Sequence, residues 1–168
     1  MRNVVLALLL LPLLATVQST LIPHTIWSIG AKPDLVLVAV LAWNLASPQA
    51  ENILWALIGG LAIDTLSGGP MGATILALLA ATVLANFTSE RVWASHVFLR
   101  MAVAASGSIL YYLVYSIVLM FSNWEGYWGN TLINIFLPSI ALNTILMLIV
   151  FPTTRWIATR ISPQSMDI

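Results

Sequence analysis

Cysteine is absent from this chain of 168 residues. That excludes disulfides, iron–sulfur clusters, thiolate zinc sites and a cysteine nucleophile, and it says nothing about compartment. Charge is almost as scarce: 7% of residues are charged, against roughly 25% in an ordinary soluble domain. Six Lys and Arg balance six Asp and Glu to a formal charge of +0, so no basic field exists to attract nucleic acid. Motifs of catalysis are missing too, with no H-E-x-x-H, G-x-S-x-G or P-loop in the chain. His24 and His96 stand far apart and read as solvated or interfacial polar residues rather than metal ligands. No enzymatic turnover, metal or cofactor is expected.

What the chain has is apolar surface. Hydrophobic residues make up 60% of it, more than a soluble fold of this size can hide, so the bilayer must be its solvent. A membrane helix needs roughly 20 apolar residues to cross about 30 Å of hydrocarbon. Six apolar segments are legible, at about residues 4–22, 35–46, 52–66, 71–86, 97–121 and 131–151, the last interrupted by Pro138. The reading is an all-α polytopic membrane protein of about six transmembrane helices, one domain over residues 1–168 and no soluble domain. Arg2 followed by an apolar run imitates a signal peptide, but Leu13-Leu14-Ala15-Thr16-Val17 fits a cleavage site poorly, so an uncleaved first helix is expected.

With six crossings, Arg2, Arg91, Arg100, Arg155 and Arg160 fall on one side and only Lys32 on the other. The loop at residues 122–130 has no Lys or Arg, as an exported loop should. The positive-inside rule therefore places both termini in the cytoplasm, as in a bacterial inner membrane. It leaves one matter open: residues 35–66 form either two short crossings or one re-entrant hairpin, since both return the chain to the same side. Trp43, Trp55, Trp93 and Trp156 near one boundary, and Trp27, Trp124, Tyr127 and Trp128 near the other, read as interfacial anchors.

Glu51, Glu90, Glu125 and Asp167 fall in loops or tails, where a carboxylate needs no explanation. Glu90 beside Arg91 makes at most an exposed pair worth about 0–1 kcal/mol. Asp64 differs, because it ends an apolar run. Ala56, Gly60 and Asp64 recur every four residues and Ser67 continues the stripe; small residues so spaced let another helix approach closely. Asp64 is then either a proton or substrate site, or a structural acceptor for the backbone N–H groups of Gly68, Gly69 or Gly72. The structural role is preferred, because a proton relay needs several ionisable groups and no second one is evident at membrane depth. Asn44, Asn86, Asn130, Asn134 and Asn143 are candidates for hydrogen bonds between helices or to a partner. Ala102 with Ser106, and Ala104 with Ser108, repeat the small-residue spacing in the fifth segment.

Two stretches carry a family resemblance. Lys32-Pro33-Asp34 opens an apolar run, and Gly59-Gly60-Leu61-Ala62-Ile63-Asp64 leads through Ser67-Gly68-Gly69-Pro70-Met71-Gly72. This pattern of glycine, membrane aspartate and a small-residue turn ending Pro-x-Gly resembles the rod shape-determining protein MreD family. Length, short loops and cytoplasmic ends fit as well, while the last two segments carry no motif of it. The resemblance implies an inner-membrane scaffold of the elongation machinery of rod-shaped bacteria. Its partners would be MreC, a protein with one membrane helix, and through it MreB filaments and the SEDS-family peptidoglycan synthase with its penicillin-binding partner. The implied fold is that of the six-helix substrate-binding subunits of energy-coupling factor transporters. That likeness supplies the alternative function, binding of a small vitamin-like molecule. The residues assigned to helix packing or partner contact are Ala56, Gly60, Asp64, Gly68, Gly69, Pro70 and Gly72.

Overall fold

A computed structural model describes residues 2–20, 31–47, 51–89, 97–122 and 132–161. His24, Trp27, Glu90, Arg91, Trp93, His96, Trp124, Glu125, Tyr127, Trp128, Asn130 and Asp167 lie outside the described residues. The described residues form six α-helices: α1 (Arg2–Thr20), α2 (Leu35–Ala46), α3 (Asn52–Ser67), α4 (Ala73–Ser89), α5 (Val97–Phe121) and α6 (Leu137–Ile161). A π-helical turn, Leu132–Phe136, leads into α6, and there is no strand among the described residues. The last helix runs on past Phe151, through Pro152, to Ile161. Pro138 follows closely on the π turn, where the helical hydrogen-bond ladder is already irregular.

The six helices form one bundle with α2 inside it. α2 packs against all five others, while α1, α3, α4, α5 and α6 follow one another around it, each against the next for α1–α3–α4–α5–α6. Every residue from Val36 to Leu45 is buried. α2 is rich in valine, a residue that favours strands in water, yet it is helical. With protein on all sides and no water to bond, its backbone must satisfy its own N–H and C=O groups, and only a helix does so within one segment. Twelve residues rise about 18 Å, short of the roughly 30 Å hydrocarbon core. The ends of α2 therefore lie within the bundle.

The outer helices are apolar on the outside as well. Leu9 is 70% exposed on α1, Phe98 86% on α5 and Ile149 67% on α6. A chain that is apolar both in its core and on its outer faces is built for lipid. α1, α5 and the stretch Asn134–Ile161, with 19, 25 and 28 residues, are long and apolar enough to cross a membrane. α2, α3 and α4 are shorter apolar helices. Because neighbours alternate in direction, one end of the bundle gathers Arg2, Arg100, Arg155 and Arg160, and the other holds Asp34, Asp64 and Lys32. We refer to these as the arginine end and the aspartate end.

Candidate functional site

At the aspartate end, α3 and α4 make a tight hairpin whose geometry centres on Asp64. α3 stops at Gly68, which takes the left-handed conformation with φ +65°, and Gly72 has φ +95°. Both are values that a side chain resists and glycine accepts. The turn delivers the first N–H groups of α4, which have no partner inside their own helix. The Asp64 carboxylate accepts from Gly72 N at 2.8 Å, Thr74 N at 3.0 Å and Ile75 N at 3.5 Å. A carboxylate from one helix thus caps the next and meets the positive end of its dipole. Gly69 N–H donates to Ser67 Oγ at 3.4 Å instead, and Pro70 O accepts from Ala73 N at 3.3 Å.

One turn below Asp64 the same two helices nearly touch. A Cβ built on Gly60 would lie 2.5 Å from Ile75 Cα and 2.8 Å from Ile75 N. Those are backbone atoms, which cannot swing aside. Ala56 and Asp64 are buried with Gly60, so the stripe faces other helices of this chain. Any partner must meet other residues.

A second buried carboxylate, Asp34, caps α2 at the same end. It accepts from Leu37 N at 3.2 Å. Gln18 of α1 bridges the cap: Nε2 donates to Asp34 Oδ1 and Oε1 accepts from Val36 N, each at 3.2 Å. From α6, Asn143 Oδ1 accepts from Asp34 N at 2.8 Å, while Asn143 Nδ2 donates to Ser108 Oγ of α5 at 3.3 Å. Ser139 Oγ accepts from Lys32 N at 2.9 Å. Four helices therefore close on one cap. Asp34 is as enclosed as Asp64, at 6% against 4% exposure, so the chain has a second buried carboxylate that the sequence reading did not single out. In the sequence it only precedes an apolar run, which gives no sign of burial. It is covered because the helix it caps is the central one.

The other end of α2 is also polar. Asn52 Nδ2 donates to Asn44 Oδ1 and, at 3.3 Å, to Asn86 Oδ1, and Asn44 Nδ2 donates to Thr82 O at 3.2 Å. These bonds tie α2, α3 and α4. Ser47 Oγ, Trp55 Nε1 and Thr82 Oγ1 are buried there without a protein partner. Trp43 and Trp55 stack with centroids 4.1 Å apart and planes 9° apart. Both are buried, which corrects their reading as interfacial anchors. Trp43 belongs to the central α2 and Trp55 of α3 stacks on it, so both rings are covered by protein. Trp156, 62% exposed, does face outward.

Other candidates divide by face. Ala104 and Ser108 are buried, whereas Ala102 and Ser106 are exposed and Ser106 Oγ merely donates to Ala102 O at 2.7 Å. Gly107 was missed: a Cβ there would lie 2.8 Å from Leu41 Cδ1 of α2. Its signal was its place between Ala104 and Ser108. Asn134 is exposed in the π turn. No group of three or more His, Cys, Asp or Glu able to hold a metal occurs among the described residues. What the two carboxylates do chemically is accept backbone N–H groups at helix starts. They organise the starts of α2 and α4.

A family model described as rod shape-determining protein MreD matches residues 1–158. No curated protein and no solved structure matches the chain.

Proposed function

The chain belongs to the rod shape-determining protein MreD family, and we propose that it serves rod-shape determination as a non-enzymatic scaffold. In this reading it spans the bacterial inner membrane six times with both termini in the cytoplasm. It binds an MreC-like single-pass protein, and through it MreB filaments and the SEDS-family peptidoglycan synthase with its penicillin-binding partner. The observation that carries the reading is how the buried polar groups are used. Asp34 and Asp64 each accept backbone N–H groups at a helix start. Such bonds fix a shape, and they engage both of these carboxylates with backbone of the chain itself.

The filled centre of the bundle supports a scaffold over a binder of a small vitamin-like molecule. A ligand-binding subunit with the fold of the energy-coupling factor family needs an interior pocket lined by converging polar groups. Here the side chains of Val36 to Leu45 occupy the interior. The outer faces of α1, α5 and α6 are apolar and exposed, so contact with a single-pass partner runs through helix faces within the bilayer, where close packing drives association. Affinity purification from native membrane, read by mass spectrometry, tests this. The expected catch is a single-pass MreC-like protein. Recovery of a coupling subunit with an ATPase pair would reverse the ranking.

A further inference from the structure

Where α2, α3 and α4 meet at the arginine end, the side chains carry more hydrogen-bonding capacity than the chain itself uses. Thr82 O can only accept, so the Asn44 amide turns its Nδ2 toward it, at 3.2 Å. That sets Asn44 Oδ1 toward Asn52, which answers with Nδ2, and the same Nδ2 donates to Asn86 Oδ1 at 3.3 Å. Both amide orientations are thereby determined. Asn52 Oδ1 is left buried and without a protein partner, and so are Ser47 Oγ, Trp55 Nε1 and Thr82 Oγ1. Ser47 follows Asn44 by about one turn and Trp55 follows Asn52 by about one turn, so each shares a side of its helix with the amide. Thr82 is the clearest case. Thr88, Thr144 and Thr154 donate their hydroxyls to the carbonyl one turn back, whereas the fully buried Thr82 does not.

We propose that this cluster binds ordered water, which bonds Ser47, Asn52, Trp55 and Thr82 and completes the joint between α2, α3 and α4. A buried polar group without a bond has given up water and gained nothing, so native folds rarely keep one. The chemistry of the four groups selects the ligand. The indole N–H only donates, Asn52 Oδ1 only accepts, and the two hydroxyls do both. A cation cannot bond the N–H, and an anion cannot bond the amide oxygen. Water bonds all four. Size agrees with this, since Asn44, Ser47, Asn52, Trp55 and Thr82 are each at most 1% exposed, which closes the cluster to a larger ligand from outside. Buried water bridges otherwise unsatisfied groups in this way.

The sign of a stability change tests this. Thr82→Val exchanges the hydroxyl for a methyl group of nearly the same size and keeps the Thr82 carbonyl that Asn44 uses. With water bound, that water loses a partner, and the full chain in detergent should melt about 2–4 °C lower. In a dry site the same change removes an unbonded hydroxyl, so the melting temperature would stay or rise. Either of those results would overturn the proposal. Ser47→Ala should lower the melting temperature likewise, and a rise would count against the site in the same way. A second reading is made on the unaltered chain in bilayers, with the tryptophan indole nitrogens isotopically labelled. Water-edited solid-state NMR should transfer magnetisation from water to the Trp55 indole N–H, a signal assigned by its loss in Trp55→Phe. Absence of that transfer would overturn the site whatever the stability of the variants.

Discussion

Gly60 and Asp64 do different work one turn apart, and substitution separates them. Gly60→Leu places a large side chain against the backbone of Ile75, where a Cβ alone would lie 2.5 Å from Cα. Overpacking of this kind costs about 1–3 kcal/mol even where neighbours are free to shift, and a backbone is not. The expected outcome is lower membrane abundance and a lower melting temperature in detergent; wild-type values for both would overturn the contact. Asp64→Leu strands the N–H groups of Gly72 and Thr74, at about 1–3 kcal/mol for each buried donor left unmade. Asp64→Asn retains shape and one acceptor, so it should fold and capture partners much as wild type does. Should the Asn variant fold and assemble normally yet fail to restore cell shape, the carboxylate works by changing protonation instead. Abundance, partner capture and shape complementation, measured on all three variants, distinguish these outcomes.

At the scale of the element, α2 explains both what was legible in the sequence and what was not. Its limits at residues 35 and 46 were visible, because Pro33-Asp34 and Ser47-Pro48 bound an apolar run. The hairpin at Gly68 to Gly72 was visible as well, since glycine marks backbone that other residues avoid. The location of α2 at the centre was not visible. Periodicity reports which face of a helix is apolar, and a helix apolar all round gives no direction for its neighbours. The close approach of α5 to α2 at Gly107 was therefore missed, and so was the burial of Asp34. Trp43 and Trp55 were misread for the same reason: a place near the end of an apolar run does not tell whether protein covers the ring. A prediction belongs to this element. Gln18→Leu removes the acceptor for Val36 N and the donor to Asp34 at once. Loss of capping at the start of a helix costs about 1 kcal/mol, up to about 2, and Asp34→Ala should cost a similar amount. Since both act on one cap, the double variant should lose less than the sum of the two single losses. Thermal unfolding in detergent measures it, and strict additivity would mean that the two residues do not share the cap.

The whole molecule has unequal ends, and that inequality predicts its orientation. Arg2, Arg100, Arg155 and Arg160 stand at one end, with only Lys32 among the basic residues described at the other. The positive-inside rule counts Lys and Arg near the ends of spans and puts the richer end in the cytoplasm. α2 is about 18 Å long and buried on every side, so its crossing depends on the surrounding helices rather than on contact with lipid. The last turn of α2 and the first turn of α3 both lie toward the arginine end. The absence of cysteine makes a direct test possible, since a single introduced thiol needs no background removed. Gln49→Cys and Ser165→Cys should react with a membrane-impermeant maleimide only in inverted membranes, and Gly126→Cys only in intact spheroplasts. Such a pattern would place both the α2–α3 connection and the C-terminal tail in the cytoplasm. Labelling of Gln49→Cys from outside would mean that α2 does not carry the chain across. Labelling of Ser165→Cys from outside would instead reverse the bundle and set its arginine end against the positive-inside rule.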